Sequence, residues 1–417
     1  MINNNTPQVR FPSFTGDWEQ RRVGDVVKMV GGATPSKANK AFWDGDIVWL
    51  SSQEIKDRYV SAGTYTITEK AVRESATKII PAFTPLIVSR SGILARMFPI
   101  TLPTVDVAIN QDIKALFFDN EILDTYFCVS YLEMKETTIL TSIVKTGTTV
   151  QSINMPDFEK LMISIPSIKE QRKIGNVFKK LDNLISLHQQ ELTTLKQTKR
   201  GFLQKMFPKE GQSVPEVRFP EFSVEWEERK LGDVIDGLYN GQTPSRARDD
   251  FWNGKINWLS SGELNRSIVE SANEKITEAG QADANLRVVP KNTFVMAITG
   301  LEAAGTRGNC GILGIDTTLN QSCMAVYPNK ELLSTQFLFQ WYKLVGERYG
   351  IRFTQGTKQQ SYNAETIKDL DICLPKVEEQ LKISQFLSKL DRLITSHQRE
   401  LDTLQRTKKA FLQKMLV

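Results

Sequence analysis

The chain has 417 residues, of which 40% are apolar, 9% aromatic and 24% charged, and its formal net charge is +5 at neutral pH. That length is too great for one ordinary core, and the composition excludes a disordered or fibrous protein. No apolar stretch is long enough to cross a bilayer, and the first residues lack the basic and apolar regions of a secretory signal, so we expect a cytoplasmic protein.

The chain contains two copies of one pattern. Residues 7–206 recur as residues 215–415 at an offset of about 209. The stretch RFPSFTGDWEQRRVGD, which begins at Arg10, returns as RFPEFSVEWEERKLGD at Arg218. The repetition predicts two globular domains of one fold, each followed by a helix. Because B-DNA offers a matching twofold symmetry, such a chain is suited to reading DNA with two heads.

The body of each copy is predicted to be a mixture of short strands and helices. Apolar runs bounded by turn residues predict strands at residues 46–50, 86–89, 113–118 and 161–166, and in the second copy at residues 255–259, 293–298, 323–327 and 370–375. Residues 122–134 and 332–349 have the pattern of helices that pack on a sheet. Tryptophans recur at equivalent positions of the two copies, and we expect them to form the cores of a shared fold.

Each copy ends in a long helix with a coiled-coil seam. Its seam residues step alternately by four and three positions. In the first copy they are Ile174, Phe178, Leu181, Ile185, His188, Leu192, Leu195, Lys199, Phe202 and Met206. In the second copy they are Ile383, Leu387, Leu390, Ile394, His397, Leu401, Leu404, Lys408, Phe411 and Met415. We expect the helices to pair antiparallel, with the two histidines near the centre as a polar pair that fixes the register.

The predicted fold class is therefore α+β (mixed α/β), with two pseudo-twofold-related globular domains separated by two long antiparallel coiled-coil helices. Each helix, at about 37 residues and ~1.5 Å per residue, would be roughly 55 Å long. DNA half-sites on one face repeat about every 34 to 36 Å. The helix pair would thus act as a spacer that lets the two domains reach successive major grooves.

The sequence favours neither a disulfide framework nor a metal site. Its cysteines, at positions 128, 310, 323 and 373, lie far apart without a CxxC pair, so we expect reduced, buried thiols. The only two histidines, His188 and His397, leave few ligands for a histidine-rich site. We therefore predict no metal and no cofactor in this chain.

Positive charge is concentrated in the two long helices. Residues 167–206 carry nine basic and three acidic side chains, and residues 376–417 carry nine and five. A protein that binds nucleic acid alone usually has a larger basic surplus on its reading domains. Either a local basic patch suffices, or a partner neutralises much of the phosphate charge.

Several polar loops occur at matching positions of both copies and carry side chains suited to base edges and phosphates. The candidate DNA-binding residues of the first copy are Thr34, Ser36, Lys37, Lys40, Ser51, Ser52, Arg90, Ser91, Arg96, Lys145, Thr146, Thr148, Thr149 and Gln151. Those of the second copy are Thr243, Ser245, Arg246, Arg248, Ser260, Ser261, Arg307, Gln355, Thr357, Lys358, Gln359 and Gln360.

Catalytic motifs are missing from the sequence. It has no phosphate-binding G-x-x-x-x-G-K-[ST] loop, no H-E-x-x-H, no G-x-S-x-G, and no G-x-G-x-x-G that opens a helix after a strand. The tetrapeptide that amino-methyltransferases place against the target base is also missing. We therefore predict a binding protein with no catalytic residues.

Residues 146–185 and 355–394 each run from a glycine-containing loop through a strand that ends in proline to Glu-Gln and a long helix. With the tails TKRGFLQKMFP and TKKAFLQKML, this double motif resembles the specificity subunit of type I restriction-modification systems over nearly the whole chain. The resemblance implies target recognition domains at residues 1–168 and 209–377, and conserved spacer helices at residues 169–208 and 378–417.

The resemblance also implies partners and a division of chemistry. Each domain would read half of an asymmetric bipartite sequence in double-stranded DNA, and the helices would dock two modification (methyltransferase) subunits. S-adenosylmethionine would belong to those subunits, while ATP and Mg would belong to restriction subunits where these are present. Methylation of adenine inside a duplex would require a partner to flip the base out.

Two other functions remain open from the residues alone. An autonomous sequence-specific regulator would bind its DNA tightly without a partner. A structural coiled-coil scaffold with two protein-binding heads would make no sequence-specific DNA contact even in its assembled complex.

Overall fold

The structure is a computed structural model that describes residues 6–145, 150–301, 305–354 and 361–417. It contains two compact units: the first comprises Met1–Glu191 with His397–Val417, and the second comprises Leu192–Ser396. Each long helix therefore contributes residues to both units. Among the helices of the described ranges, none combines the length and the apolar character needed to span a membrane.

The first unit is built from short strands and helices that precede the first long helix. Its strands are β1 (Glu19–Arg22), β2 (Lys28–Gly31), β3 (Trp43–Leu50), β4 (Tyr59–Val60), β5 (Tyr65–Ile67), β6 (Ile79–Ile80), β7 (Leu86–Val88), β8 (Ile100–Pro103), β9 (Val107–Ile109), β10 (Ile113–Phe117), β11 (Val144–Lys145), β12 (Ser152–Ile153) and β13 (Met162–Ile165). Its shorter helices and helical turns are Val23–Val26, Lys40–Phe42, Glu69–Glu74, Gly92–Ala95, Thr125–Met134, Glu136–Thr138, Ile139–Ile143 and Met155–Glu159.

The second unit repeats most of these elements. Its strands are β14 (Glu227–Lys230), β15 (Ile235–Asn240), β16 (Trp252–Leu259), β17 (Ser267–Val269), β18 (Glu274–Ile276), β19 (Phe294–Ala297), β20 (Cys310–Leu313), β21 (Thr318–Leu319), β22 (Cys323–Pro328) and β23 (Asp371–Leu374). Its shorter helices and helical turns are Leu231–Val234, Asp249–Phe251, Ser261–Glu263, Glu278–Asp283, Thr335–Arg352 and Ala364–Lys368. The long helices are Ile168–Lys205 and Val377–Met415.

The two units share one sheet topology. A five-stranded sheet has the order β2-β10-β7-β8-β4 in the first unit and β15-β22-β19-β20-β17 in the second. In both, the first three pairings are antiparallel and the last is parallel. Each unit also has a second sheet, with the order β5-β3-β9-β6 in the first unit and β18-β16-β21 in the second. The mixed fold predicted from the repeat is confirmed.

The tryptophans that recur in both copies lie largely inside these units, as predicted. Trp18 and Trp49 are buried in the first unit, and Trp226 and Trp258 are buried in the second. Their partners Trp43 and Trp252 are half-buried, but the indole nitrogen of each donates to a backbone carbonyl seven residues earlier in the chain at 3.1 Å. These indoles therefore hold a loop in place.

All the strands and helices predicted in the bodies of the two copies are present, with bounds that differ by a few residues. Strands β1 and β14 are not predicted from the sequence; they pair with the strands that lead into the long helices. Their sequences, EQRR and EERK, carry no apolar residue because both strands are largely exposed. Such strands are held by backbone pairing and leave no apolar period to detect.

The long helices begin one residue earlier than the predicted spacer segments and end before them, at Lys205 and Met415. A Glu-Gln pair anchors each start. Arg10 makes a two-bonded fork to the buried Glu170 at 2.7 and 2.8 Å, and Arg218 makes the same fork to Glu379 at 2.7 Å for both bonds. The following glutamine, Gln171 in the first copy, donates to the backbone carbonyl of the proline that ends the preceding strand.

Within the first unit the long helices pair antiparallel. Lys408 forms an ion pair with Asp182 at 2.6 Å, while the Nδ1 atoms of His188 and His397 lie 3.3 Å apart. From Asp182 to His188 the first helix runs forward, while the partner residues on the second helix run back from Lys408 to His397. Lys408 and Asp182 are 9% and 6% exposed in their side chains, and Glu133 also accepts from Lys408 at 2.7 Å.

Within the second unit the pairing is antiparallel in the same way. The rings of Phe202 and Phe386 meet edge to face with centroids 4.9 Å apart, and Lys199 donates to Asp391 at 2.5 Å. Lys199 is the repeat equivalent of Lys408 in the seam. The predicted antiparallel coiled coil is confirmed, and each seam lysine has a carboxylate partner on the opposite helix.

A second buried lysine gives the ion cluster of the second unit an excess of positive charge. Lys343 donates to Asp391 at 3.3 Å beside Lys199, and its side chain is 11% exposed. Burial lowers the pKa of Lys343 to about 8, with Asp391 opposing the shift and Lys199 adding to it. Burial alone would raise the pKa of Asp391, but Lys343 and Lys199 hold that pKa below its usual value.

We expect Lys343→Met to raise the free energy of unfolding at pH 7 by about 1 to 2 kcal/mol, because an apolar side chain replaces the excess buried cation. In the wild type the unfolded state holds this proton up to a pKa of 10.5 and the folded state only to about 8, so stability should rise between those pH values. The variant should lose that rise. Urea unfolding at pH 7, 8, 9 and 10 measures both effects.

The exposed Lys330 provides a control, because Lys330→Met removes a lysine from the surface and should leave the pH dependence unchanged. A Lys343→Met chain that is less stable than the wild type at pH 7 would show that the lysine is a needed partner of Asp391 and not an excess charge.

Candidate nucleic-acid interface

Five loops of the first unit meet and bring together many of the predicted DNA-binding residues. We call this arrangement the first loop cluster; it consists of residues 32–37, 51–54, 89–91, 110–112 and 151–152. Its hub is the turn at residues 110–112. The amide of Asn110 donates to the carbonyl of Leu50 at 2.9 Å, and the hydroxyl of Thr34 donates to the side chain of Gln111 at 2.8 Å.

The cluster continues through the segment around Arg90. The carbonyl of Asp112 accepts from the amide of Arg90 at 3.3 Å. Arg90 in turn forms an antiparallel bridge with Ser152, which pairs on its other side with Lys145. The amide of Ser91 donates to the carbonyl of residue 151 at 3.1 Å. Arg90 and Lys145, which are 55 positions apart in the chain, therefore lie on backbone segments that flank Ser152, and both side chains are exposed.

The second unit contains the same frame, which we call the second loop cluster; it consists of residues 241–246, 260–263, 298–299, 320–322 and 361. The amide of Asn320 donates to the carbonyl of Leu259 at 2.9 Å, the amide of Ile298 donates to Ser322 at 2.9 Å, and Thr299 bridges Ser361. These contacts are the repeat equivalents of those in the first unit. One backbone frame thus supports both sets of side chains.

The side chains presented on the two frames differ. Arg90 of the first cluster corresponds to Thr299 of the second, and Lys37 corresponds to Arg246. The Arg246 guanidinium lies 3.7 Å from the ring centroid of Trp252 and forms a fork to Glu274 at 2.5 and 2.9 Å. That fork holds the pKa of Glu274 below its usual value, although burial opposes the shift.

In the first unit, Tyr65 stands where the second unit has Glu274. Its ring meets Trp43 edge to face with centroids 5.9 Å apart, so this surface is aromatic and lacks the fixed ion pair. The surfaces beside the first and second clusters are therefore chemically distinct.

Two of the predicted DNA-binding serines have a structural role inside their loops. Ser51 donates to Glu54 from its amide at 2.9 Å and from its hydroxyl at 2.6 Å. Ser260 makes the corresponding bonds to Glu263, both at 3.0 Å. Burial acts to raise the pKa of Glu54, but bonds from Ser51 and a neighbouring threonine hold that pKa below its usual value. These hydroxyls shape the turns that carry Ser52 and Ser261.

The other predicted DNA-binding residues lie in several different parts of the two units. Arg248 forms a fork to Asp250 at 2.8 Å for both bonds, and both side chains are exposed. The side chain of Arg307 packs beside Gly350 of helix Thr335–Arg352, so part of it is committed to the body of the unit. Ser36, Lys37, Lys40 and Arg96 lie at or near the surface of the first unit, and Thr243 and Ser245 belong to the second loop cluster.

Eight predicted residues lie outside the described residues. They are Thr146, Thr148, Thr149, Gln355, Thr357, Lys358, Gln359 and Gln360. Gln151 is described and belongs to the first loop cluster.

The turns at the hub of each cluster are not among the sites predicted from the sequence. Gln111 and Gln321 are exposed at equivalent positions, and each accepts a hydrogen bond from the threonine of the neighbouring loop. Glutamine amides can bind adenine with two hydrogen bonds in the major groove. The available signal was the Asn-Gln dipeptide, which occurs just before an apolar strand in both copies.

Comparisons with known proteins agree with this duplicated architecture. A family model described as "Type I restriction modification DNA specificity domain" matches residues 15–197 and again residues 223–406. The Escherichia coli "Type I restriction enzyme EcoR124I/EcoR124II specificity subunit" is 36% identical over 170 residues, which are 40% of this chain and 42% of that protein. The MjaVIII specificity subunit of Methanocaldococcus jannaschii is 25% identical over 425 residues, covering 96% of this chain and 92% of that one.

Among solved structures, the chain is similar to the "Crystal structure of Type-I restriction-modification system S subunit from M. genitalium". The TM-score is 0.69 at 14% sequence identity, and the match covers 99% of both chains. This likeness concerns the fold. The two family matches fall on the two copies of the repeat and confirm the resemblance indicated by the sequence.

Proposed function

Because the chain belongs to the family of type I restriction-modification DNA specificity subunits, we propose that it reads an asymmetric bipartite DNA target with one half-site per unit. Its relatives include two proteins named as specificity subunits of type I restriction enzymes. The observation that carries the proposal is the pair of loop clusters, in which one backbone frame supports two different sets of side chains.

For the first half-site, we assign the reading surface to Arg90, Ser91, Gln111, Lys145 and Gln151. The two cations suit guanine acceptors or phosphates, and the glutamines suit adenine. The backbone bonds of the cluster hold these residues at fixed positions, which lowers the entropy lost on binding DNA.

For the second half-site, we assign the surface to Arg246, Ser261, Thr299 and Gln321. Arg246 is already ordered by Trp252 and Glu274. In the DNA complex, a phosphate or base acceptor would compete with the Glu274 carboxylate for the Arg246 guanidinium. The two surfaces differ in charge and hydrogen-bonding groups, which is why the proposed target is asymmetric.

We expect Arg90→Ala to cost about 1 to 3 kcal/mol in DNA binding and to relax one base position in the first half-site only. Sequencing of methylated sites after co-expression with the modification subunits measures this. Arg21→Ala is the control, because this partly exposed arginine lies on β1 and pairs with Glu19. Relaxation in both half-sites, or in neither, would contradict the assignment.

The outer faces of the long helices support the proposed docking of two modification subunits. Leu184 and Leu393 are repeat equivalents, lie outside the seam, and are 44% and 39% exposed. Leu184 belongs to the first unit and Leu393 to the second. Each unit thus offers one equivalent apolar contact, as expected for two copies of one partner. In this proposal S-adenosylmethionine is bound by those partners, and ATP with Mg by restriction subunits.

We expect Leu184→Asp and Leu393→Asp each to remove one of two bound modification subunits, because losing a buried leucine contact costs about 1.5 to 3 kcal/mol. The double variant should bind neither. Native mass spectrometry of the assembled complex counts the subunits. The control is Val105→Asp, which changes a residue that is 39% exposed outside the long helices. If both single variants keep two partners, the docking faces lie elsewhere.

We further propose that the paired helices set the gap between the half-sites. Each long helix runs through both units, and inserting seven residues preserves the heptad register. One added heptad in each helix adds about 10 Å of rise and should widen the gap by roughly three base pairs at ~3.4 Å each. Methylation-site sequencing reports the gap. A seven-residue insertion in an exposed loop is the control, and an unchanged gap in the helix variant would refute the spacer role.

The same complexes separate this function from its alternatives. A gel shift with the purified chain alone should show weak binding that strengthens when modification subunits are added. Tight specific binding by the chain alone would favour an autonomous regulator. Loss of all sequence preference in the assembled complex would favour a scaffold.

A further inference from the structure

The two histidines of the chain and two glutamates lie together in the first unit. The Nδ1 atoms of His188 and His397 are 3.3 Å apart. The Glu191 carboxylate lies 3.3 Å from His397 Nδ1 and 3.8 Å from His188 Nδ1, and the Glu400 carboxylate lies 3.5 Å from His188 Nδ1. Ligand atoms of His188, Glu191 and His397 are all within 4.8 Å of one another.

This group arises from one motif that occurs in both long helices. The first helix has HQQE at residues 188–191, and the second has HQRE at residues 397–400. Residues three positions apart lie on the same face of a helix. Antiparallel pairing then brings the two His-x-x-Glu faces together. The histidines alone were too few to indicate a metal site, and the carboxylates complete the ligand set.

We propose that these four side chains bind one divalent transition-metal ion, with zinc the best fit. A tetrahedral zinc ion with bonds of about 2.0 to 2.1 Å requires ligand atoms roughly 3.3 to 3.4 Å apart. The spacing between the histidine nitrogens and the spacing between His397 and Glu191 are both 3.3 Å. The Glu400 carboxylate is 3.5 Å from His188 Nδ1 but lies outside the set of mutually close ligand atoms, so its side chain would have to move to become the fourth ligand.

The ligand types favour a transition metal over magnesium or calcium. Two imidazole nitrogens suit zinc, whereas magnesium and calcium prefer oxygen ligands alone. Two carboxylates would balance the charge of a divalent ion bound by neutral imidazoles. Two histidines and one carboxylate form a three-ligand zinc set that leaves a fourth tetrahedral position, which Glu400 or a water molecule would fill here.

A single hydrogen bond between the two imidazoles would explain only one of the close contacts of His188 Nδ1. Each Nδ1 atom has either one proton or one lone pair, and can donate to one acceptor only. His188 Nδ1 is approached by another ring nitrogen and by two carboxylates. A cation at their centre would satisfy all of these electron-rich atoms together.

Access and position suit a structural ion. The histidine side chains are 19% and 24% exposed, while those of Glu191 and Glu400 are 43% and 53% exposed. An ion can therefore enter from solvent and still be held by groups anchored in the seam. Because the ligands come from both helices, the bound ion would join them in one register.

Zinc titration of the full-length, chelator-treated chain tests this site by calorimetry. One ion should bind per chain, and the melting temperature should rise. His188→Gln and His397→Gln should each lower the affinity by at least about 10-fold to 100-fold, which is the range for losing even an outer partner of a metal ligand. Glu191→Gln should also weaken binding. Glu69→Gln, an exposed carboxylate whose side chain is 83% exposed, is the matched control.

A cobalt-substituted chain supplies an independent measurement, since tetrahedral cobalt has strong visible absorption that both histidine variants should lose. The proposal is overturned if the wild-type chain binds no zinc, or if the double histidine variant binds zinc as tightly as the wild type. Displacement of zinc by an equal concentration of magnesium would overturn the assignment to a transition metal. A Cys373→Ser chain with unchanged affinity excludes the half-buried thiol as the source of the signal.

Discussion

The pairing of buried charges across the helix seam constrains the whole structure. Apolar heptads alone are compatible with parallel pairing and with slips of one heptad, because leucines and isoleucines tolerate many partners. A buried lysine does not, since leaving it without a carboxylate costs several kcal/mol. Lys408 meets Asp182 in the first unit, and Lys199 meets Asp391 in the second. Both contacts arise only when the helices run in opposite directions at one register.

The start of each long helix links that register to the body of its unit. The Arg10–Glu170 and Arg218–Glu379 forks are buried and have two bonds each, which fixes direction as well as distance. The strand that ends just before each helix also pairs with β1 or β14. A domain held in this way cannot rotate about its helix without breaking charged bonds. The loop clusters therefore keep a defined orientation relative to the helix on which each body is built.

Elements with a regular spacing of apolar residues could be predicted from the sequence. Elements whose position depends on contacts between residues far apart in the chain could not. The heptads, the apolar strands and the tryptophan cores follow from local patterns, and the structure contains them. The hub turns at Gln111 and Gln321 do not, because their position depends on strands separated by 60 residues or more. Ser51 and Ser260 show the same limit: a Ser-Ser loop suggests DNA contact, yet the first hydroxyl of each is bound by a glutamate three residues later.

The duplicated frame explains how one fold presents two chemically different surfaces. The bonds that shape each cluster are mostly from backbone amides to backbone carbonyls, so they do not depend on side-chain identity. Exchanging Arg90 for Thr299, or Tyr65 for Glu274, therefore changes the presented chemistry without changing the frame. The Arg246 stack adds a further constraint. In the proposed DNA complex, the Arg246 guanidinium would leave Glu274 only for an acceptor of comparable strength, so a charged phosphate would compete better than a neutral base edge.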